Sequence, residues 1–475
     1  MSRFPFVRAS LLAPAILLSA AFSAFAHTGE SGLVLLLPTG YYLFGGTLAV
    51  TLSFCLIFLW PRTSLERLCK ASLPLGTLRV PPRGAASFVV FAFLLALIWS
   101  GLFGSRDPRG NPLPVTVWSV WWGSFVFVQA VFGDLWHYLN PVIAPYRLIR
   151  RLAGREAPYL VYPEWLGFWP AVFAFGCFSW LELVDLAPDD PARLAWIVIF
   201  YLAVTLAGMV LFGADAWLRR ADPFSIFLRF LAHLSPFEAR PVAGAPALRL
   251  LYLVPPGARL FRLPALPPSG TLFVLMTLSS VSFDGLSRTF RWLDLAGINP
   301  LEFPGRSAVL EFNSLGLIGI WLGLAGAYFG AVRLGKWINP AWSRNPAAGL
   351  LIISIIPIAL AYHFAHYLTI LLMELQYVVQ IYGDPLDRGW NPLALPPNFV
   401  TASFLNDYRS VRIIWSLQAG AVVAGHLVAV IAAHVLSGRL GGTGWRDPSG
   451  QVPLAMLMVL YTLFGLWLLA APNIG

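Results

Sequence analysis

Long apolar segments separated by short polar connections dominate the pattern of this chain. Ten of them are long enough to cross a bilayer as a helix, which needs about 20 predominantly apolar residues. Strict alternation of apolar and polar positions, the sign of a barrel strand, is absent from all ten. An open strand would also leave its backbone groups unsatisfied in lipid, so the pattern predicts an all-α, polytopic helical membrane bundle. The predicted spans lie near residues 39–60, 85–104, 114–136, 165–186, 192–213, 269–287, 308–332, 347–382, 411–437 and 452–472.

The N-terminus carries a shorter apolar segment of a different kind. Two arginines precede an apolar run over residues 11–25, and an Ala-Phe-Ala sequence ends at Ala26. A positive start, a short apolar run and an Ala-x-Ala end are typical of a secretory signal peptide. We therefore predict that residues 1–26 are cleaved and that residues 27–475 form a single membrane domain beginning with His27. An uncleaved anchor helix is the alternative.

Composition supports a membrane protein and excludes a soluble globular domain. Hydrophobic residues make up 58% of the chain and charged residues 11%, against about 45–50% and about 25% in soluble domains. The 19 Trp and 15 Tyr fit aromatic belts at the two membrane interfaces. The three cysteines are too few and too scattered for a disulfide framework or a zinc cluster.

Lysine and arginine concentrate in alternate connections between the predicted spans. The connections 61–83, 140–164, 214–268, 333–346 and 438–450 hold 21 of the 32 basic residues. The positive-inside rule puts these connections in the cytoplasm and both mature termini in the periplasm of a bacterial inner (cytoplasmic) membrane. The net charge of +10 is thereby explained by topology, and no nucleic-acid partner is predicted. The arginine-rich stretch 214–268 is predicted to form interfacial helices on the anionic inner leaflet.

Ionisable residues inside the predicted spans are few, and they mark candidate sites because they are costly in lipid. His363 and His366 are three residues apart in the eighth span, about 4.5 Å along one helix face. Glu374 follows in the same span, Asp284 lies near the outer end of the sixth, and His426 lies near the middle of the ninth. We expect these side chains to meet in the periplasmic half of the bundle.

Neutral imidazoles combined with a carboxylate suit a divalent transition metal such as Zn, Mn, Fe or Cu. An N-terminal histidine in the mature protein has an amine and an imidazole that can bind one copper ion together. We predict Glu374 as general base and Asp284 as a second catalytic residue. The alternative is that each group bonds to a neighbouring helix. The predicted metal ligands are His366, His426, Asp284, His363 and His27. Further candidates are Glu182 and Asp185 in the outer half, and an inner group of Asp134, His137, Asp215 and His434.

Seven collinear segments, from the third span to the C-terminus, resemble bacterial multipass membrane proteins named for fenitrothion hydrolase. Within this resemblance His363 departs from the family pattern, and the first 110 residues match poorly. The segments are FGDLWHYLNP (132–141), SWLELV (179–184), ADAWLRRADPFSIF (214–227), SVSFDGLSRT (280–289), PIALAYHFAHY (357–367), GHLVAVIAAH (425–434) and LFGLWLLAAPN (463–473). The family's motif residues correspond to Asp134, Glu182, Asp284, His366, Gln376, His426 and His434.

The resemblance implies hydrolysis of a phosphorothioate triester such as fenitrothion, with release of a nitrophenol and a dialkyl thiophosphate. We therefore expect a membrane-embedded, metal-dependent phosphoric triester hydrolase whose lipophilic small-molecule substrate enters from the lipid bilayer. Two alternatives stay open: a transition-metal (copper-like) permease or metal-handling factor, and a structural subunit in which the histidines hold helices together. The sequence has no Walker A motif, dinucleotide fingerprint or nucleophile elbow to support ATP, dinucleotide or serine-hydrolase chemistry.

Overall fold

Two compact units divide the described part of the chain. The computed structural model describes residues 39–60, 62–155, 157–302, 305–342, 346–396, 399–440 and 449–471. We call the described residues up to 66, from 263 to 366 and from 403 onward the terminal unit, and residues 67–262 with 367–402 the central unit. The predicted signal peptide and His27 lie outside the described residues.

Helices form most of the regular structure. Ten of them are long and apolar enough to cross a membrane within the described ranges, which confirms the ten predicted spans and the all-α class. In chain order, and including the short helices that do not span, the described helices begin with α1 (Thr39–Leu59), α2 (Arg62–Lys70), α3 (Arg83–Phe103), α4 (Pro112–Phe132), α5 (Trp136–Leu139), α6 (Ile143–Leu152), α7 (Trp169–Leu183), α8 (Pro191–Phe212), α9 (Ala214–Arg220) and α10 (Pro223–Ala232). The others are α11 (Pro268–Ser287), α12 (Phe290–Leu295), α13 (Leu310–Ile338), α14 (Ala347–Gly383), α15 (Tyr408–Ser437) and α16 (Val452–Ala470).

Short polar residues fix where several of these helices begin. Asp190 accepts a hydrogen bond from the backbone N–H of Arg193 at the start of α8, where Pro191 occupies the first turn. Asp407 likewise accepts from the backbone N–H of Ser410 at the start of α15. Such caps satisfy amide groups that have no partner inside the helix, and proline there loses no hydrogen bond. These capping residues therefore fix the first residue of each of the two helices.

Helix α11 is largely buried within the terminal unit, whereas most of α1 is exposed, as in a helix that faces lipid. Buried residues make up 78% of the apolar window of α11 but only 22% of that of α1. Serine and threonine residues along α11 bond back to carbonyls one turn earlier, for example Ser282 to Leu278 at 2.8 Å. Small polar residues of this kind are typical of helix–helix interfaces in membranes. The span of lowest hydropathy is thus largely buried, and it carries Asp284.

Glycines allow α14 to approach its neighbours closely. A Cβ atom at Gly425 of α15 would stand 3.0 Å from the carbonyl oxygen of Pro357 and would collide with Ala361, both on α14. The carbonyl of Gly349 accepts a hydrogen bond of 2.8 Å from the backbone N–H of Leu266. Close backbone contact of this type is how small residues hold membrane helices together. These contacts set the rotation and depth of the first part of α14 within the terminal unit.

The prediction of interfacial helices over residues 214–268 is wrong for the second half of that stretch. Residues 214–232 are helical, but β2 (Phe237–Val242) and β3 (Ala245–Leu253) form a hairpin, and β1 (Leu73–Arg79) pairs antiparallel with the other edge of β3. Gly244 has a φ of +74° in the two-residue turn, a conformation that favours glycine. The third strand comes from a distant connection, so no local pattern indicated the sheet.

Candidate functional site

The sixth and eighth spans bring a carboxylate and an imidazole into direct contact. Oδ2 of Asp284, on α11, lies 2.5 Å from Nε2 of His366, on α14. Asp284 is 4% exposed and His366 is partly buried. A carboxylate that contacts one imidazole nitrogen orients the ring and stabilises its protonated form. The pair is therefore a candidate acid–base centre, and it joins two residues singled out in the sequence.

Arg288 completes this centre from the end of α11. Its Nη2 atom lies 3.1 Å from Oδ1 of Asp284, one turn earlier in the helix. Helix α11 ends at Ser287, and Thr289 then caps α12, so the guanidinium projects from a helix end and its side chain is 41% exposed. The buried carboxylate thus has an imidazole at one oxygen and a guanidinium at the other. Protonation of the imidazole gives this centre a net positive charge, which suits an anionic intermediate.

A second polar cluster in the terminal unit surrounds Tyr362, one turn before the site histidine on α14. The hydroxyl of Tyr362 donates to the carbonyl of Tyr461 on α16 at 2.5 Å, and the hydroxyl of Tyr461 lies 2.5 Å from Oγ of Ser282 on α11. The ring of His426, on α15, lies 6.1 Å from the ring of Tyr362. These contacts connect α16 with α11, α14 and α15, the three helices that hold the predicted site residues.

His426 is enclosed within the terminal unit. Its exposed fraction is 0%, and Nδ1 donates to the carbonyl of Val422 at 2.8 Å. The neutral ring therefore carries no proton on Nε2, and that atom has no hydrogen-bond partner in the part of the chain that the structure describes. A neutral imidazole with one nitrogen held by a backbone carbonyl is the usual state of a metal-binding or proton-accepting histidine.

The predicted metal ligands do not gather into one group. Across the described ranges, no set of three or more His, Cys, Asp or Glu side chains is close enough to hold a metal ion. Asp284 and His366 supply one oxygen and one nitrogen, whereas zinc sites in proteins use three or four protein ligands. His363, 3% exposed, and His426 do not join that pair, and His27 lies outside the described residues. The described donors therefore do not fit the predicted metal centre.

Glu374 belongs to the central unit, beside an unusual turn of α4. Residues Thr116–Phe125 of α4 are π-helical, a rare geometry that is frequently found at functional sites. Ser119 in this stretch donates to Oε2 of Glu374 at 3.3 Å, and Glu374 is only partly buried. The predicted general base thus has a hydroxyl partner in its own unit, and its contact with a substrate stays a prediction.

Glu182 is held by the same π-helical stretch. Its Oε1 atom accepts a hydrogen bond of 2.6 Å from Nε1 of Trp122 and another from the hydroxyl of Tyr367. Carboxylates bonded by neutral donors are stabilised in position and available to link helices. Both bonds lie within the central unit, and the role of Glu182 as a further site residue stays a prediction.

Three of the remaining candidates, Asp134, Asp185 and Gln376, bond to backbone or to a counter-charge. Asp185, 2% exposed, accepts two hydrogen bonds of 2.5 Å from the guanidinium of Arg193. Asp134 accepts a bond of 3.2 Å from the backbone N–H of His137. These bonds give both aspartates a structural function. Gln376 bonds the backbone of Thr401 in both directions, His434 is 3% exposed, and Asp215 lies in the first turn of α9.

Four members of the two terminal-unit clusters were not singled out in the sequence: Arg288, Tyr362, Tyr461 and Ser282. Arg288 stands four residues after Asp284, a spacing that puts both on one helix face and was itself a signal. Tyr362 and Tyr461 are ordinary aromatic residues in apolar spans, and nothing local distinguishes them from lipid-facing tyrosines. Their function as hydrogen-bonding links follows only from which helices are neighbours.

The comparisons with known proteins add no relative. No family model, curated protein or solved structure matches this chain. The class of the protein therefore rests on its own described helices. Ten apolar helices of membrane-spanning length, with ionisable residues enclosed between them, define a multi-pass α-helical membrane protein.

Proposed function

We propose that the protein is a membrane-embedded hydrolase of neutral, lipophilic phosphoric and phosphorothioate triesters. The observation that carries the proposal is the 2.5 Å contact between Nε2 of His366 and Oδ2 of Asp284. An imidazole oriented by a carboxylate is a general base for the attack of water. Ionisable residues kept inside membrane spans are usually functional, and the resemblance to fenitrothion hydrolases supplies the substrate class.

The proposed reaction is one displacement at phosphorus. The imidazole of His366 removes a proton from water, and Asp284 stabilises the imidazolium. The water oxygen bonds to phosphorus, the bond between phosphorus and the aryl oxygen breaks, and the phenolate leaves with that electron pair. Arg288 stabilises negative charge on the phosphoryl oxygen or sulfur during attack. The imidazolium then returns its proton to the phenolate.

The proposal includes a location. We infer a bacterial inner membrane with both mature termini in the periplasm, supported by the concentration of basic residues in alternate connections. The site then faces the periplasmic half. Neutral triesters partition into hydrocarbon, so they reach a site between helices through the bilayer.

Hydrolysis by matched histidine variants tests the proposal. We expect purified wild-type protein to release nitrophenol from a phosphorothioate triester, and His366→Gln to lose at least about 100-fold because the general base is removed. His137→Gln is the control, since His137 is exposed and outside the proposed site. No hydrolysis by wild type, or equal rates for the two variants, would reject the proposal.

Metal content tests the predicted cofactor separately. We still propose a bound divalent transition metal. Among the described residues, the Asp284–His366 pair supplies two possible ligands, fewer than a zinc site uses. Elemental analysis of protein purified without chelator compares wild type with the His366→Ala/His426→Ala double variant. Stoichiometric metal that is lost in the double variant would establish a metal site that depends on these histidines. Full activity without metal would assign catalysis to the pair alone. A large loss of activity in Glu374→Gln would instead favour the sequence-based prediction of Glu374 as general base over His366.

Transition-metal transport is the second candidate function. The observation that favours it is Nε2 of His426, unprotonated, enclosed and without a hydrogen-bond partner among the described residues. A permease needs such ligands at successive depths, and His434 lies about 12 Å further along the same helix. Uptake of labelled copper or zinc by proteoliposomes, lost in His426→Ala, would support transport. Triester hydrolysis without uptake would exclude it.

A further inference from the structure

The three-stranded sheet of the central unit presents apolar side chains on one of its two faces. Cross-strand partners in an antiparallel pair share a face, and successive residues alternate between faces. Leu73 of β1, Leu253 of β3 and Phe237 of β2 are partners in one row across all three strands. Leu78 lies on the same face, because its partner Arg249 is four residues from Leu253 in β3. We call this surface the apolar face.

The opposite face, which we call the polar face, carries the charged contacts of the sheet. Glu238 pairs with Arg240 at 2.7 Å and also with Arg262. The guanidinium of Arg240 lies 4.1 Å from the ring centroid of Tyr252, the cross-strand partner of Glu238. Leu250, the partner of Arg240, is an apolar exception on this face. The two faces therefore differ in polarity, as in an antiparallel sheet that separates an apolar phase from water.

The apolar face is exposed and continues onto the end of a membrane-spanning helix. Leu73 is 58% exposed, Leu78 is 46% exposed and Leu253 is 40% exposed. The ring of Phe237 stacks on that of Phe132, the last residue of α4, with 6.2 Å between the centroids. The row of apolar side chains across the sheet thus ends where a span ends. Exposed apolar side chains at that depth are stabilised by contact with acyl chains and mark an interaction surface.

Basic residues flank the exposed leucines of β1. Lys70 precedes Leu73 by three residues, Arg79 directly follows Leu78, and both basic side chains are exposed. Arg249 adds a positive charge on the apolar face itself. Long basic side chains reach the headgroups while their apolar neighbours stay below them. Anionic lipids collect beside basic residues at the membrane surface, so the charge of the sheet complements such a lipid surface.

Strand β1 is poorly suited to pairing with another strand. It forms one edge of the sheet, whose order is β1-β3-β2. Pro74 has no N–H to donate, and the register of β1 shifts between Pro74 and Gly76. Proline, bulges and flanking charges on an edge strand oppose the addition of a further strand. The edge of β1 therefore does not favour a second copy of this chain as the occupant.

We propose that the apolar face of this sheet docks on an anionic lipid surface, with its exposed leucines among the acyl chains and with Lys70 and Arg79 at the lipid phosphates. The surface belongs to the leaflet at which α4 ends with Phe132. A sheet thereby performs the membrane contact that the sequence assigned to interfacial helices. The proposal concerns the central unit alone and does not depend on hydrolysis at Asp284 and His366.

Spin labels at adjacent positions of β1 test this docking. The full chain, with its native cysteines replaced by serine, receives one label and is reconstituted into bilayers of phosphatidylcholine and phosphatidylglycerol. We expect labels at Leu78→Cys and Leu253→Cys to be reached by oxygen, which concentrates in hydrocarbon, and shielded from a water-soluble nickel chelate. Thr77→Cys is the matched control on the polar face. Its ratio of oxygen to nickel accessibility should be at least about fivefold lower, because its label faces water.

The charge of the bilayer tests the basic residues. Replacement of phosphatidylglycerol by phosphatidylcholine should lower the accessibility ratio of the Leu78→Cys label at least about twofold. Lys70→Gln/Arg79→Gln should have the same effect in the anionic bilayer. Arg151→Gln, which removes an exposed arginine from α6 in the same unit, should leave the ratio unchanged. An unfolding midpoint close to that of wild type shows that each labelled chain is folded.

Four results would overturn the inference. Equal access of the nickel chelate to all three labels would show that the apolar face lies in water. Shielding of the Leu78→Cys and Leu253→Cys labels from both reagents would show that protein, such as a second copy, covers this face. Equal oxygen access at Thr77→Cys and Leu78→Cys would contradict the assignment of the two faces. An unchanged ratio in pure phosphatidylcholine would reject an anionic lipid surface.

Discussion

Replacement of Asp284 by asparagine is expected to lower kcat for triester hydrolysis by about 10³-fold or more while the protein stays folded. Asparagine has the same shape and still contacts His366, but it carries no charge to stabilise the imidazolium or to pair with Arg288. The charge matters once the imidazole holds the proton, so KM should change little. Steady-state kinetics with an aryl phosphorothioate triester in detergent measures both constants.

The matched control is Asp294→Asn, which removes a carboxylate from an exposed position on α12 in the same unit. It should retain wild-type kinetics. The double variant Asp284→Asn/His366→Gln should lose no more activity than the worse single variant, because residues that act as one unit are not additive. An Asp284→Asn rate within threefold of wild type would contradict the assignment of the pair as the base.

Replacement of Gly349 by alanine is expected to lower the free energy of unfolding by about 1–3 kcal/mol, the usual cost of overpacking. A Cβ atom at this position would collide with the carbonyl oxygen of Leu266 and stand 2.9 Å from its carbonyl carbon. The two backbones are joined by the 2.8 Å hydrogen bond from the N–H of Leu266 to the carbonyl of Gly349. They cannot separate without losing that bond. Unfolding of purified protein in mixed micelles measures the change.

Gly326→Ala is the matched control for this stability prediction. Gly326 lies in α13 of the same unit, and a Cβ atom there would meet nothing within 4 Å. Alanine is favoured over glycine in a helix by about 1 kcal/mol, so this variant should be as stable as wild type or more stable. Equal stability of Gly349→Ala and Gly326→Ala would show that α14 moves away from Leu266 without cost. The prediction would then be wrong.

The sequence by itself determined the number and approximate positions of the spans. A membrane helix satisfies its own backbone and must contain about 20 apolar residues whatever its neighbours are, so the signal is local. The span predicted at 347–382 is helix Ala347–Gly383, and the one predicted at 39–60 is helix Thr39–Leu59. Asp284 and His366 were also identified from the sequence. An ionisable residue within a membrane span is energetically unfavourable, so it indicates a site without any information on its neighbours.

Only the tertiary structure decided which of these polar residues meet. His363 and His366 are equally plausible on a helical wheel, but the rotation of α14 brings His366, and not His363, to Asp284. That rotation is set by close contacts such as Gly425 against Pro357, which involve another helix. The same dependence on distant neighbours separates His426 from the pair, gives Glu374 its contact with Ser119, and pairs β1 with β3 across more than a hundred residues. Local periodicity specifies an element, and packing between elements specifies a site.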